Sequence, residues 1–316
     1  MKIIDWPVYY DLTAYDECIK NQIEHISNIE GVISIYQIGG VNDLGISDLD
    51  FVIIFQDNYE VYSNPFKRNN LSDKYILCHN PYGAGESLFE KSLMFSFYHN
   101  YKHIFGKKFE IYNKLKPKLQ QKIKTQLALE FLLRMYINLT IQKKYNIIKL
   151  RSLLLHIKGI VYDFEFLSYF PTETSSLIDE GMHFRKHWFN NMFDEKIIIN
   201  WFTRLYDNFE IMLGNLLQEK NIYFEQEKFI SSKNISINKS NILSNTKKGF
   251  VFNFPLPISE NNKFKLNNRL NSFVFHVPFS LKPDNIISEY FKFQKETFRY
   301  TKQFLPHYPV SYTHLR

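Results

Sequence analysis

YQIGGVNDLGISDLDFVIIF, residues 36–55, sets two adjacent glycines, a short polar loop and two aspartates one residue apart against a run of apolar side chains. The overlapping stretch GVISIYQIGG alternates Val32, Ser34, Tyr36 and Ile38 against Ile33, Ile35 and Gln37, which predicts a strand ending at Gly39. LDFVIIF predicts a second, more buried strand. Alternate side chains of a strand share a face, so Asp48 and Asp50 point the same way while Leu49 turns into the core. Two carboxylates held that close repel each other, and a divalent cation between them offsets the cost. Gly39 and Gly40 carry no Cβ, so a phosphate can come close to the backbone N–H groups there. Phosphates on the turn and a cation on the carboxylates make one coherent site. A hairpin or loop rich in Asn, Asp and Gly would also account for GGVNDLGISDLD, but turn chemistry alone does not ask for Asp-x-Asp ahead of a buried strand.

Around this centre, residues 13–29 repeat Ile19, Ile23 and Ile26 at helical spacing, with Thr13 and Asp16 as a capping box. DKYILCHN predicts a third strand, and SLFEKSLMFSFYHNYKHIFG a helix ending at Gly106. Residues 1–110 thus read as a mixed α/β domain. From about Lys114 the chain is nearly free of Gly and Pro up to residue 167, with apolar residues every three or four positions, which predicts two helices. DEKIIINWFTRLYDNFEIMLGNLLQEKN predicts another, making residues 111–222 a helical domain. Residues 223–316 alternate polar and apolar side chains between Asn- and Lys-rich turns, predicting β-hairpins, and close on a helix over DNIISEYFKFQKETFRYTKQFL. The expected fold class is α+β: a mixed-sheet domain, a helical domain and a β-rich C-terminal extension.

Composition narrows the function classes. Apolar content of 45% and charged content of 22% across 316 residues suit a folded protein. Two cysteines, Cys18 and Cys78, make no disulfide framework, and the N-terminus lacks the apolar core of a signal peptide. No run reaches the length of a membrane span. These features lead to the expectation of a cytoplasmic protein without a membrane partner. A net charge of +7 favours an anionic ligand, a nucleoside triphosphate or RNA. HFRKH (183–187) and HNYKH (99–103) have the i, i+4 spacing of a helical metal pair, but lack the carboxylate or cysteine context of a zinc site, and read as structural histidines.

Ile38-Gly39-Gly40, then Ser47-Asp48-Leu49-Asp50-Phe51, resembles the signature of the nucleotidyltransferase superfamily typified by DNA polymerase beta and the small antibiotic adenylyltransferases. HIFGKKF (103–109) is similar to a segment that follows the catalytic strands in antibiotic-modifying members. The resemblance implies Asp48 and Asp50 as catalytic ligands of Mg2+ or Mn2+. It implies Gly39, Gly40 and Ser47 around the triphosphate, with Arg134 and Arg151 as basic residues reaching it from the helical domain. It also implies transfer of a nucleoside monophosphate, with ATP as the expected donor, to the hydroxyl or phosphate of a small acceptor such as a sugar or aminoglycoside. Transfer to RNA or protein, and a nucleotide-binding protein that has lost its chemistry, are the alternative readings.

Two departures stand out. The loop between Gly40 and Asp48 is a little shorter than in most members. The family also places a third carboxylate on a later strand, and KYILCHN offers none. Asp73, at the start of that stretch, is the first choice for the acid. His79, near its end, is the substitute as ligand or base. Glu86, Glu90 and Glu110 are the next acids along the chain.

Overall fold

The computed structural model describes residues 1–92, 95, 97, 100–110, 115–225, 234–251 and 257–301. Strand β1 (Lys2–Ile4) opens the chain, and helix α1 (Leu12–Ser27) follows. Asp11, not the Thr13–Asp16 pair, caps α1, its Oδ1 accepting from the Ala14 N–H at 3.0 Å. Next come β2 (Val32–Ile38) and β3 (Asp50–Phe55), the two strands predicted on either side of the glycine turn.

The stretch expected as a third strand is instead helix α2 (Leu71–Ile76) followed by a loop. Asn70 caps it, its Oδ1 accepting from the Asp73 N–H at 2.6 Å, and Asp73 in the first turn reaches back to the Asn69 N–H at 3.2 Å. These local hydrogen bonds nucleate a helix turn that apolar alternation alone does not reveal. The third strand is β4 (Tyr82–Gly85). Helix α3 covers only Glu86–Ser92, and the segment ending at Gly106 is strand β5 (Lys102–Gly106) rather than the end of that helix. Gly106 has φ of 76°, and a Cβ there would overlap the Ile33 carbonyl oxygen of β2.

The long helices appear as their periodicity predicts: α4 (Pro117–Tyr145), then α5 (Leu150–Leu167) after the short strand β6 (Ile147–Lys149). Helix α6 (Thr172–His187) was not legible in the sequence. It buries Leu177, Ile178, Gly181 and Phe184, and Gly181 lets Trp201 and Ile157 come close. Then follow α7 (Glu195–Glu219), β7 (Ile235–Lys239), β8 (Ser244–Lys248), α8 (Glu260–Leu270), β9 (Ser272–Val277) and α9 (Asn285–Thr301). Residues 302–305 of the predicted last helix lie outside the described residues.

The architecture is α+β with mixed sheets. A four-stranded sheet has the order β4-β3-β2-β5, with β3 parallel to β4 and β2 antiparallel to both β3 and β5. A three-stranded sheet has the order β7-β9-β8, with β9 parallel to β7 and antiparallel to β8, in place of the expected hairpins. β1 pairs in parallel with β6. The chain forms two compact units. One holds Val8–Ile123 and α9; the other holds Met1–Pro7 and Lys124–Asp284. This differs from three consecutive domains: the β7-β9-β8 sheet belongs with the long helices, and α9 with the four-stranded sheet. No described helix is long and apolar enough to cross a membrane.

In the first unit, Tyr15, Cys18 and Ile26 of α1 pack with Ile35 of β2 and with Leu49, Phe51, Ile53 and Phe55. Asp50, Val52 and Ile54 therefore occupy the other face of the sheet, and they too are buried.

Candidate metal centre

Ile38, the last residue of β2, pairs with Asp50, the first of β3. That register brings the Gly39 turn and the start of β3 to the same end of the sheet. Gly39 has φ of 73°, a conformation other residues adopt only under strain, and Gly40 beside it is exposed. The loop back to β3 is pegged by two tyrosines. Tyr15 donates its hydroxyl to the Ser47 carbonyl at 2.8 Å and accepts from the Gly45 N–H. Tyr75 of α2 donates to the Gly45 carbonyl and accepts from the Val8 N–H. Ser47 is buried and its Oγ accepts from the Asp43 N–H at 3.3 Å, so this hydroxyl closes the loop on itself.

With the loop fixed and Leu49 held in the core, Asp48 and Asp50 face a third side chain, His79, from the loop after α2. The Asp48, Asp50 and His79 ligand atoms all lie within 4.8 Å of one another, and among the described residues no other group of three potential ligands gathers in this way. His79 Nε2 stands 2.6 Å from Asp50 Oδ1 and 3.8 Å from Asp48 Oδ2. Its Nδ1 lies 2.6 Å from the Asn80 carbonyl oxygen. A carbonyl only accepts, so Nδ1 carries a hydrogen, and Nε2 is the atom presented to the carboxylates. A bare lone pair at 2.6 Å from a carboxylate oxygen would be repulsive. A positive charge must sit there: a proton, or a cation in its place.

Burial pushes the His79 pKa down, but the charge and hydrogen bond of Asp50, the charge of Asp48 and the Asn80 carbonyl outweigh it, and the pKa is raised. In the cation-free protein His79 therefore holds its proton more firmly than an ordinary imidazole does, and that proton must leave for a metal to bind. The donor set fits a divalent ion: two carboxylates and an imidazole whose other nitrogen is already tied to a carbonyl, the usual outer-shell arrangement for a ligating histidine.

The remaining predicted site residues are Asp73, Arg134 and Arg151. Asp73 is buried, but it serves the start of α2 and is hydrogen-bonded by the Cys18 thiol, whose pKa burial and then Asp73 push up to about 12. It is not in the ligand group; His79 is. Arg134 on α4 and Arg151 at the start of α5 belong to the other compact unit, where Arg151 is buried and its N–H donates to the Asp5 carbonyl. His183 and His187 do share a turn of α6, with ring centroids 4.6 Å apart. His103 lies on β5, and its predicted partner His99 lies outside the described residues. A cleft of about 770 Å³ opens beyond the far end of β3, lined by Asp57, Tyr59, Glu60 and Tyr300 among others, and includes none of the three ligands.

Sequence reasoning missed Arg68. Its Nε donates to the Leu77 carbonyl at 3.0 Å and its Nη2 to the His79 carbonyl at 2.5 Å. A lone arginine between two loops carries no periodicity and no motif, so nothing in the sequence marks it. In comparisons with known proteins, no protein-family model, no curated protein and no solved structure matches the chain.

Proposed function

We propose that the protein is a metal-dependent nucleotidyltransferase that moves a nucleoside monophosphate from a triphosphate, ATP first among them, to an oxygen of a small acceptor such as a sugar or aminoglycoside. The observation that carries this reading is the convergence of Asp48, Asp50 and His79 Nε2 beside a glycine turn at one end of a mixed sheet. Asp48, Asp50 and His79 would hold the divalent cation. Gly39 and Gly40 would offer backbone N–H groups to the phosphates. A cation held there supplies positive charge against the triphosphate and lowers the pKa of an incoming hydroxyl. In the transfer, the acceptor oxygen bonds to the α-phosphorus and its proton passes to water. The bond from that phosphorus to the bridging oxygen breaks, and pyrophosphate departs with the electron pair. The pegged loop keeps Asp48 and Asp50 in place without reorganisation, as electrostatic catalysis requires.

The test is incubation of the protein with triphosphates labelled at the α-phosphate, a divalent cation and a pool of small metabolites. Label in a small product, dependent on the cation and lost in Asp50→Asn, is the expected result. Label in RNA or protein moves the acceptor to a macromolecule, and nucleotide binding with no pyrophosphate released overturns the transferase reading.

A further inference from the structure

An imidazole in place of a third carboxylate changes which ion the site prefers. Magnesium takes all-oxygen surroundings and gives up water reluctantly. Imidazole nitrogen suits first-row transition ions, of which manganese is the weakest binder and the nearest to magnesium in its taste for oxygen. The nitrogen here is not incidental to the fold. Its tautomer is set by the Asn80 carbonyl, and the backbone on both sides of Cys78 is held from behind by Arg68. One rigid guanidinium spans the carbonyls of Leu77 and His79, a fork that lysine cannot reproduce. The same guanidinium carbon lies 5.6 Å from the Phe66 ring centroid, and Phe66 meets Phe51 edge-on at 5.7 Å. Phe51 follows Asp50 in β3. Packing thus links the strand that carries the carboxylate to the loop that carries the imidazole.

We infer that Asp48, Asp50 and His79 form a mixed oxygen–nitrogen site that selects manganese, or another first-row transition ion, over magnesium, with Arg68 as the positioning residue that aims His79. The inference rests on the cation site proposed above and specifies its ion and its third ligand.

The experiment loads the metal-free full chain with Mn2+ and follows free and bound ion by electron paramagnetic resonance, with pulsed detection of nitrogen coupling on the bound ion. The wild type is expected to show coupling to one imidazole nitrogen, and Mg2+ to displace the ion only at about tenfold or greater excess. His79→Asp should lose the coupling and bring the two ions towards parity. Arg68→Gln should weaken Mn2+ binding about 10- to 100-fold, as outer-shell changes do, with reduced coupling on the ion still bound. Bound Mn2+ without nitrogen coupling in the wild type, or equal competition by Mg2+, overturns the selectivity, and this measurement needs no variant to fold. Unchanged affinity and coupling in Arg68→Gln overturn the role of Arg68. No bound Mn2+ at all overturns the underlying cation site instead.

Discussion

β3 and β9 are both six-residue strands lying between two neighbours in their sheets, yet they handle polar side chains in opposite ways. β9 alternates: Phe273, Phe275 and Val277 are buried, while Ser272, Val274 and His276 are half-buried. Its polar groups reach water and ask nothing of their neighbours. β3 is buried at every position, beginning with Asp50. A carboxylate in such a strand must be matched by charge or hydrogen bonds, because leaving it unmatched costs several kcal/mol. His79 provides that match. A charged residue opening a doubly covered strand therefore signals a site, whereas a polar residue in an alternating strand signals only an outer face.

The most direct way to break this contrast is to change one polar residue in each strand. Asp50→Asn should lower divalent-cation affinity by more than about 100-fold, beyond the usual cost of an outer-shell change, and abolish transfer. His276→Ala should leave both unchanged and shift stability by no more than about 0.5 kcal/mol. Calorimetric titration with Mn2+ and denaturant unfolding check the pair. Cation binding that survives Asp50→Asn would break the contrast.

Packing should separate the strands next. Ile53→Ala removes a fully buried side chain from β3 and should cost about 2–5 kcal/mol. Val274→Ala, at a half-buried position of β9, should cost about 1 kcal/mol or less. Equal losses in urea unfolding would show that the face of β3 packed against α1 is less tightly filled than the fold indicates.

pH gives a smaller effect with a definite sign. The folded pKa of His79 lies above its ordinary value of about 6.5. In the cation-free protein, its stabilising contribution is complete below about pH 6.5 and is lost as pH rises through the raised folded value. Cation affinity runs the other way, because Nε2 must give up its proton, and it should rise with pH over that same window. His79→Gln should flatten both slopes. Unfolding midpoints measured with and without Mn2+ across that window check the reversal.

Much of this contrast was legible in the sequence. The unbroken apolar run after Asp50 and the Asp-x-Asp spacing gave β3, its burial and two of the three residues that could hold a cation. The alternation of SFVFHV marked a strand but not its partners, since period two fixes the face a side chain takes and says nothing about the neighbouring strand. β9 accordingly lies between β7 and β8 rather than in a hairpin. β4 was illegible for another reason: YGAG has little strand propensity. Its glycines make room for α9, since a Cβ on Gly83 would come within 2.7 Å of Thr301 Cγ2 and one on Gly85 would overlap the Tyr300 hydroxyl. His79 is legible as a candidate ligand but not its setting: the alternation of KYILCHN suggests a strand, whereas a loop after a capped helix delivers it.

Asp73 gives the finest test, because it too is a buried acid in the same unit and is the acid that the sequence puts forward first as a catalytic group. Burial alone does not separate it from Asp50; the partners do. Asp50 faces an imidazole and a second carboxylate, whereas Asp73 faces the Asn69 N–H and the Cys18 thiol at the start of α2. Asp73→Asn keeps an acceptor for that N–H and removes only a charge near a helix N-terminus. It should cost about 0.5–1 kcal/mol and leave Mn2+ affinity and the imidazole coupling as they are. With its charge gone, Cys18 should lose part of the upward push on its pKa, leaving burial, the larger cause, in place. Thiol reactivity against pH and Mn2+ titration of the one variant read both consequences. Lost Mn2+ binding in a folded Asp73→Asn protein would move Asp73 into the cation site and make helix capping its lesser role.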